Sequence, residues 1–217
     1  MVNFLLLIKN ITNFSKKEID KGNIPITIYE LCSCIRETFC LSYSIRKDNN
    51  LYLYFEKENV LIKFIGKRLR YLGPDERSQA LLLNKALNKA KHIISYESER
   101  WEKSTPGIYI IKYSDNNSFI NSFFSNKEGN FYLILDNYKE NNKKIDTLSF
   151  DKDFLAILDN DFYIIPIYNT LNKSIEFLEL LESLKNIMKL SIPKAKTREN
   201  KILYLNFRKD QQTNLLY

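Results

Sequence analysis

The apolar residues of this chain occur in short runs that turn-forming and charged residues separate. Apolar runs of roughly four to eight residues are typical of buried strands, and apolar positions three and four residues apart are typical of amphipathic helices. The runs predict strands over 2–9, 51–55, 60–65, 108–111, 131–135, 154–158 and 202–205. The wider spacings predict helices over 29–41, 80–90 and 169–190. Strands that alternate with helices favour an α/β fold with a largely parallel sheet.

The segment 73–76, Gly-Pro-Asp-Glu, predicts the start of the helix over 80–90. Proline in a first turn loses no hydrogen bond, and acidic side chains there face the positive end of the helix dipole. Farther along, the polar segment 139–147 is predicted to be a loop. We find no internal repeat and no long linker, so residues 1–217 are predicted to form a single domain.

The size and composition are those of an ordinary globular protein. With 217 residues, 44% of them hydrophobic and 27% charged, the chain is long enough to bury roughly 70% of its unfolded surface. No apolar run reaches the roughly 18 residues of a membrane span. The apolar segment 4–8 also lacks the basic start and the cleavage site of a signal peptide. We therefore expect a cytoplasmic protein that does not bind a membrane.

The charge balance is compatible with a nucleic-acid partner. A net charge of +7 arises from 33 basic and 26 acidic residues, and phosphates attract cationic surfaces. A bias of the chain toward lysine and asparagine accounts for the same excess, so charge alone leaves both explanations open. Three cysteines, Cys32, Cys34 and Cys40, and the single histidine, His92, do not match a zinc site. We expect buried thiols on a helix and no metal.

Three motifs are more specific than the composition. They read Leu41-Ser42 followed by Ile45-Arg46-Lys47-Asp48, then Arg-Tyr-Leu-Gly-Pro-Asp-Glu-Arg-Ser over 70–78, then Trp101 with Ser-Thr-Pro-Gly-Ile-Tyr over 104–109. In order and spacing they resemble the SPOUT class of methyltransferases, and specifically the archaeal tRNA pseudouridine-54 N1-methyltransferases. This resemblance implies a mostly parallel sheet flanked by helices with a C-terminal trefoil knot. It also implies S-adenosyl-L-methionine bound by the knot within about 130–210, an RNA substrate of the tRNA type, and a homodimer.

The resemblance also implies roles for particular residues. Asp75, Glu76 and Arg77 are candidates for catalysis, although Asp75 and Glu76 equally suit a helix start and Arg77 a surface ion pair. Residues that end or follow predicted strands are candidates for cofactor binding: Leu135, Leu158, Asp159, Asn160, Leu190 and Ser191. Basic residues in or beside the motifs are candidates for RNA binding: Arg46, Lys47, Arg70 and Arg198.

The chain departs from the family at several motif positions. It has Ile-Thr-Ile-Tyr over 26–29 where the family usually has Gly-Arg-Leu-Asp, and Tyr43 where the family has histidine. The predicted strand 154–158 runs into Asp159-Asn160-Asp161 where the family has Gly-Asp-His, and the last glycine is Gly129. Two hypotheses follow. The chain is a methyltransferase of pseudouridine or of another RNA substrate, or it is a catalytically degenerate relative that acts as an RNA- or protein-binding dimer.

Overall fold

The computed structural model describes residues 1–93, 100–125, 127–135, 148–150, 156–167 and 176–214. Within these ranges nine strands form one sheet, and helices pack against both of its faces. The strands are β1 (Val2–Ile8), β2 (Asn49–Phe55), β3 (Val60–Ile65), β4 (Glu102–Thr105), β5 (Ile108–Lys112), β6 (Phe131–Ile134), β7 (Leu148–Ser149), β8 (Phe162–Pro166) and β9 (Ile187–Ser191). The helices are α1 (Lys16–Asp20), α2 (Ile26–Phe39), α3 (Glu76–Ala90), α4 (Asn116–Ser125), α5 (Glu176–Glu182) and α6 (Arg198–Asn214), and a 3₁₀ turn covers Gly66–Arg68.

The sheet has a parallel part and an antiparallel edge. Its strand order is β4-β5-β3-β2-β1-β8-β6-β9-β7. All pairings from β2 to β7 along this order are parallel, whereas β3, β5 and β4 pair antiparallel. The predicted α/β fold with a mostly parallel sheet flanked by helices is therefore confirmed.

The central strand β1 shows why the sequence folds in this way. All seven of its residues are buried, because β1 lies between two parallel partners and both of its faces are covered. Alternate side chains pack on opposite sides. Leu6 joins the core beneath α2, α3 and α6, whereas Leu5 and Leu7 join an aromatic cluster with α4 and α5.

Three predicted elements are wrong. Residues 156–158 form no strand, and the strand in this part of the chain is β8; Phe154 and Leu155 lie outside the described residues. The end of the predicted helix 169–190 is strand β9. Residues 202–205 belong to α6, where the buried residues Ile202, Leu205 and Asn206 recur at helical spacing.

Other expectations stay predictions. The predicted loop 139–147 lies outside the described residues, and so does part of the range 130–210 that was assigned to the knot. In the ranges that the structure describes, no helix is both long enough and apolar enough to cross a membrane.

Candidate active site

Three of the predicted cofactor residues, Leu135, Leu190 and Ser191, lie at the carboxyl ends of β6 and β9. The backbone N–H of Leu135, directly after β6, donates a hydrogen bond of 3.0 Å to the carbonyl of Leu190. The carbonyl of the next residue, Ser191, accepts a hydrogen bond of 3.0 Å from the N–H of Phe150. Ligands of parallel α/β sheets bind outside the carboxyl ends of strands. The structure thus brings Leu135, Leu190 and Ser191 together at the edge where a cofactor is expected.

The other three predicted cofactor residues, Leu158, Asp159 and Asn160, lie elsewhere. They precede β8 instead of following a strand, so they lie at the amino edge of the sheet. The N–H of Asn160 donates to the carbonyl of Met1 at 2.8 Å. The Asp159 carboxylate lies 2.6 Å from the Met1 ammonium and 3.1 Å from Lys209 Nζ. Hydrogen bonds from these two ammonium groups lower the pKa of Asp159.

This separation arises because the strand is β8 and not the predicted segment 154–158. The residues that end and follow β8 are Pro166 and Ile167, and the N–H of Ile167 donates to the carbonyl of Leu7 at 2.9 Å. The described ends of β6, β8 and β9 therefore carry no acidic side chain, and the carboxylate expected beside the cofactor is absent from them. Buried leucine and isoleucine side chains line this edge.

A cavity of about 240 Å³ opens at the carboxyl ends of β1, β2 and β8, beside the first turns of α2. The chain continues from β1 to β2 on one side, while β8 pairs with β1 on the other side. Such a reversal of strand order leaves a crevice in which α/β proteins bind ligands. The residues that line the cavity are Ile8, Lys9, Asn10, Thr12, Thr27, Ile28, Leu31, Phe55 and Ile167.

Polar groups on one wall of this cavity give it hydrogen-bonding capacity. The hydroxyls of Thr12 and Thr27 share a hydrogen bond of 3.0 Å. Thr27 occupies a position where the resembling family carries arginine, so a neutral hydroxyl replaces a guanidinium. Lys9 is the one charged side chain among the lining residues. The cavity can therefore accept a flat polar ring, with apolar walls and a few directional contacts.

Arg198, a predicted RNA-binding residue, lies near this end of α2. Its guanidinium is 3.6 Å from the carboxylate of Glu30, one turn after Thr27. Burial raises the pKa of Glu30, and the charge of Arg198 opposes this shift. The pair joins the first turn of α6 to the first turns of α2, so Arg198 contributes positive charge at the carboxyl edge of the sheet.

The predicted catalytic residues lie at the other end of α2. Asp75 caps α3, because its carboxylate accepts the N–H of Ser78 at 2.8 Å, and this hydrogen bond lowers its pKa. Glu76 is in the first turn of α3, and Arg77 pairs with Asp20 at 2.7 Å. Within one chain, none of the three is brought to the edge that holds Leu135.

The remaining predicted RNA-binding residues also lie at the amino edge. Arg46 forms two hydrogen bonds of 2.7 Å to Asp210 on α6. Lys47 and Arg70 are exposed. A second cavity, of about 490 Å³, opens here and includes Arg70 and Tyr43 in its lining.

Two of the three cysteines are buried on a helix, as expected from the sequence. Cys32 and Cys34 are buried thiols on α2, and Cys40 is half-buried at its end. Burial raises the pKa of Cys32 to about 12, which keeps the thiol protonated. In the described part of the chain, no group of three or more His, Cys, Asp or Glu side chains is arranged to hold a metal ion.

Sequence reasoning missed several residues of these sites. Asn10, Thr12 and Ile167 line the smaller cavity although none belongs to a motif. The signal available for them is their position directly after the apolar runs of β1 and β8, since side chains that follow parallel strands collect at one edge.

Comparison with known proteins decides the family. A family model described as "Putative SAM-dependent RNA methyltransferase" matches residues 9–138, more than half of the chain. The chain belongs to this family. A tRNA (pseudouridine(54)-N(1))-methyltransferase of Methanococcus maripaludis strain C5 is 34% identical over 158 residues, which cover 69% of this chain and 72% of that protein. The resemblance found in the motifs is thus confirmed.

Another relative matches over a shorter segment, and a solved structure matches in fold. The Methanocaldococcus jannaschii protein of the same name is 41% identical over 83 residues, 37% of this chain and 40% of that protein. For this relative the chain matches well under two thirds of its length. The crystal structure of Archaeoglobus fulgidus Nep1 bound to S-adenosylhomocysteine aligns with a TM-score of 0.54, covering 99% of both chains at 12% identity. That likeness concerns the fold alone.

Proposed function

We propose that this protein is an S-adenosyl-L-methionine-dependent RNA methyltransferase whose substrate is a tRNA. The match of residues 9–138 to the methyltransferase family carries the proposal. The names of the relatives, which act on pseudouridine 54 of tRNA, support the substrate class. The basic surface of the chain, with a net charge of +7, suits a polyanionic substrate.

In this proposal Leu135, Leu190 and Ser191 hold the cofactor, which supplies an activated methyl group on a sulfonium. The side chains of Leu135 and Leu190 are buried, so we assign the contact with the adenine to the backbone at these positions. Leu158, Asp159 and Asn160 have no part in it, because they bind the amino terminus and α6 at the opposite edge.

The 240 Å³ cavity receives the target base. The cavity lies between β1 and β8, and β9, which carries Leu190, is two strands beyond β8. At the usual spacing of strands, the centre of the cavity is therefore roughly 10–15 Å from Leu190 across the sheet. Thr12, Thr27 and Asn10 offer neutral hydrogen-bonding groups to a base. The family arginine and aspartate are replaced here by Thr27 and Tyr29, and we propose on this ground that the modified base differs from pseudouridine 54.

The proposal includes a homodimer and a C-terminal knot. Two large apolar side chains on the outer face of α6, Leu203 and Phe207, are 47% and 54% exposed, and Tyr29 on the adjoining α2 is 46% exposed. An apolar face of this kind suits a self-complementary interface. Asp75, Glu76 and Arg77 reach a cofactor only from a partner subunit, so a catalytic role for them depends on this dimer.

Calorimetric titration with S-adenosylhomocysteine tests the cofactor site. We expect saturable heat with a stoichiometry of one per chain. Ser191→Gln places a longer side chain at the carboxyl edge and is expected to weaken binding by about 10-fold or more, or ~1.4 kcal/mol. The matched variant Asp159→Asn, at the amino edge, is expected to bind like the unaltered protein. Absence of heat at millimolar ligand would contradict the proposal and favour the degenerate RNA- or protein-binding dimer.

A further inference from the structure

A second cavity lies at the opposite end of α2 from the proposed active site. It has a volume of about 490 Å³ and is lined by the loop that follows α2 and by the segment that precedes α3. Thr27 lines the first cavity and Cys40 the second, so almost the whole length of α2, about 20 Å, separates the two. We refer to the second cavity as the tyrosine groove, because Tyr43 and Tyr71 both line it.

The two tyrosines of this groove are exposed far more than tyrosines usually are. Tyr43 is 103% exposed and Tyr71 is 78% exposed. Neither ring contributes to the protein core in this state. Two exposed aromatic side chains that line the same cavity form an apolar patch of the kind that marks interaction sites.

Tyr71 is also held in an unfavourable backbone conformation. Its φ is +66°, in the left-handed region that bulky residues rarely adopt. The other non-glycine residues with positive φ, among those that the structure describes, are Asn59 and Asn160, and asparagine tolerates this region. Strain of this kind persists where the surrounding structure imposes it, and it concentrates at binding sites. Here the strained backbone directs an aromatic side chain into solvent at the rim of a cavity.

The charge of the groove selects an anionic ligand. Arg70 is the one charged residue in its lining, and the remaining lining residues are apolar, hydroxyl-bearing or aromatic. The two segments that border it expose Lys47, Lys67 and Arg68 as cations and Asp48 and Asp75 as anions, so cations remain in excess. Aromatic rings beside cationic side chains, with no carboxylate in the lining, are the surface that proteins use for unpaired nucleotides.

We propose that the tyrosine groove binds an unpaired base of the RNA substrate, with the base stacked on the tyrosine rings and its phosphate on Arg70. This inference rests on the proposed function in so far as the ligand is RNA. Within one subunit it adds a contact about 20 Å from the proposed active site, by which that subunit selects an RNA with an unpaired nucleotide at that distance from the modified base.

Binding of two fluorescently labelled RNAs, measured by anisotropy, tests the groove. One probe is a single-stranded RNA of twelve nucleotides and the other is the same strand in a duplex. We expect Tyr43→Ala and Tyr71→Gly each to weaken binding of the single strand by about 5- to 150-fold, which is the ~1–3 kcal/mol of one stacked base. Binding of the duplex is expected to change little in either variant, because its bases are not accessible for stacking.

Matched variants identify the cause of any loss. Tyr43→Phe keeps the ring and is expected to bind like the unaltered protein, and Lys85→Ala, an exposed cation on α3 outside the groove, controls for net charge. Glycine adopts a positive φ without strain. The free energy of unfolding of the Tyr71→Gly protein is therefore expected to stay the same or to rise, while its affinity for RNA falls. Unchanged binding of the single strand, or an equal loss for single strand and duplex, would overturn the inference.

The same variants separate this inference from the proposed function. A protein without methyl transfer that still loses single-strand binding in Tyr43→Ala would contradict the activity and support the groove. A protein with methyl transfer whose tyrosine variants bind both RNAs normally would contradict the groove and leave the activity standing.

Discussion

The guanidinium of Arg46 and the carboxylate of Asp210 form a two-pronged ion pair, with both N–O distances at 2.7 Å. The pair connects the loop before β2 to the last turns of α6, although the two residues are 164 positions apart in the sequence. The Arg46 side chain is 19% exposed and that of Asp210 is 47% exposed. Arg46 therefore fixes α6 against the body of the domain, and this structural role stands beside its predicted contact with RNA.

Replacing Arg46 by lysine tests that structural role. Lysine keeps the charge but cannot make two parallel hydrogen bonds, so we expect Arg46→Lys to lower the free energy of unfolding by about 1–2 kcal/mol. Urea unfolding measures the change, and Asp210→Asn with the double variant completes a mutant cycle. A coupling free energy below about 0.5 kcal/mol would show that the pair adds nothing measurable.

The cap residue Asp75 gives a pH-dependent prediction. We expect Asp75→Ala to lower the free energy of unfolding by about 1 kcal/mol at pH 7, and Asp75→Asn to change it little, because asparagine also caps helices. The Ser78 N–H lowers the pKa of folded Asp75 below its ordinary 3.8. The ionised cap therefore stabilises the fold above pH 3.8, and its contribution is lost as the pH falls through the lower, folded pKa. Urea unfolding of both variants from pH 7 to 3 measures this.

Methyl transfer by Asp75→Asn separates capping from catalysis. If Asp75 acts only as a cap, the rate stays close to that of the unaltered protein, since the helix start is preserved. A loss of about 100-fold with unchanged stability would instead assign the carboxylate a role in general base catalysis. Asp75 would then act on a cofactor held by a partner subunit.

Two glycines with positive φ form a matched pair for stability. Gly22 has a φ of +72° and nothing within 4 Å of an added Cβ, whereas Gly107 has a φ of +84° and would place a Cβ 2.5 Å from the Leu69 backbone nitrogen. We expect Gly22→Ala to cost about 1 kcal/mol from the backbone alone. Gly107→Ala is expected to cost about 3 kcal/mol or more, because a backbone clash is added. Thermal unfolding of the two variants checks the order, and equal losses would contradict the close packing at Gly107.

The ammonium of Lys127 predicts a stability change at alkaline pH. It lies 4.7 Å from the ring centre of Phe123 and 5.5 Å from that of Phe162. Burial, and to a lesser degree the charge of Lys63, lowers the pKa of Lys127 to about 8. Between pH 8 and the ordinary value of 10.5 the unfolded chain binds more protons than the folded one, so stability rises with pH in this window.

Replacing Lys127 by methionine tests this dependence. We expect Lys127→Met to lack the part of the rise that belongs to Lys127, so that the difference in free energy of unfolding between the two proteins changes from pH 8 to 10.5. Urea unfolding at several pH values measures the difference. A difference that stays constant across the window would show that the folded and unfolded chains bind the Lys127 proton equally.

The amino-terminal elements followed from local patterns. In β1, β2 and β3 the length and the apolar pattern of the segment both indicate a strand. In α2 and α3 they both indicate a helix, so each of these elements could be predicted. The pattern also contained α4, because Phe119, Ile120, Phe123 and Phe124 recur at helical spacing and are buried; the prediction overlooked it.

The carboxyl-terminal errors have a common physical cause. Two apolar runs, 154–158 and β8, lie only a few residues apart, and periodicity cannot choose which of them enters the sheet. That choice depends on pairing with β1, a contact between residues more than 150 positions apart. Because of this error, the prediction assigned Leu158, Asp159 and Asn160 to the carboxyl edge of the sheet instead of the amino edge. The tyrosine groove was only partly predictable. Arg70 was predicted to bind RNA, but the sequence did not show the positive φ of Tyr71, which the surrounding structure imposes.

The most direct test of the account is transfer of tritium from S-adenosyl-L-[methyl-³H]methionine to tRNA that lacks the modification. We predict incorporation that depends on the protein, approaches one methyl group per tRNA, and falls in Ser191→Gln but not in Asp159→Asn. No incorporation above the rate without protein, in a preparation that is folded and binds tRNA, would contradict it.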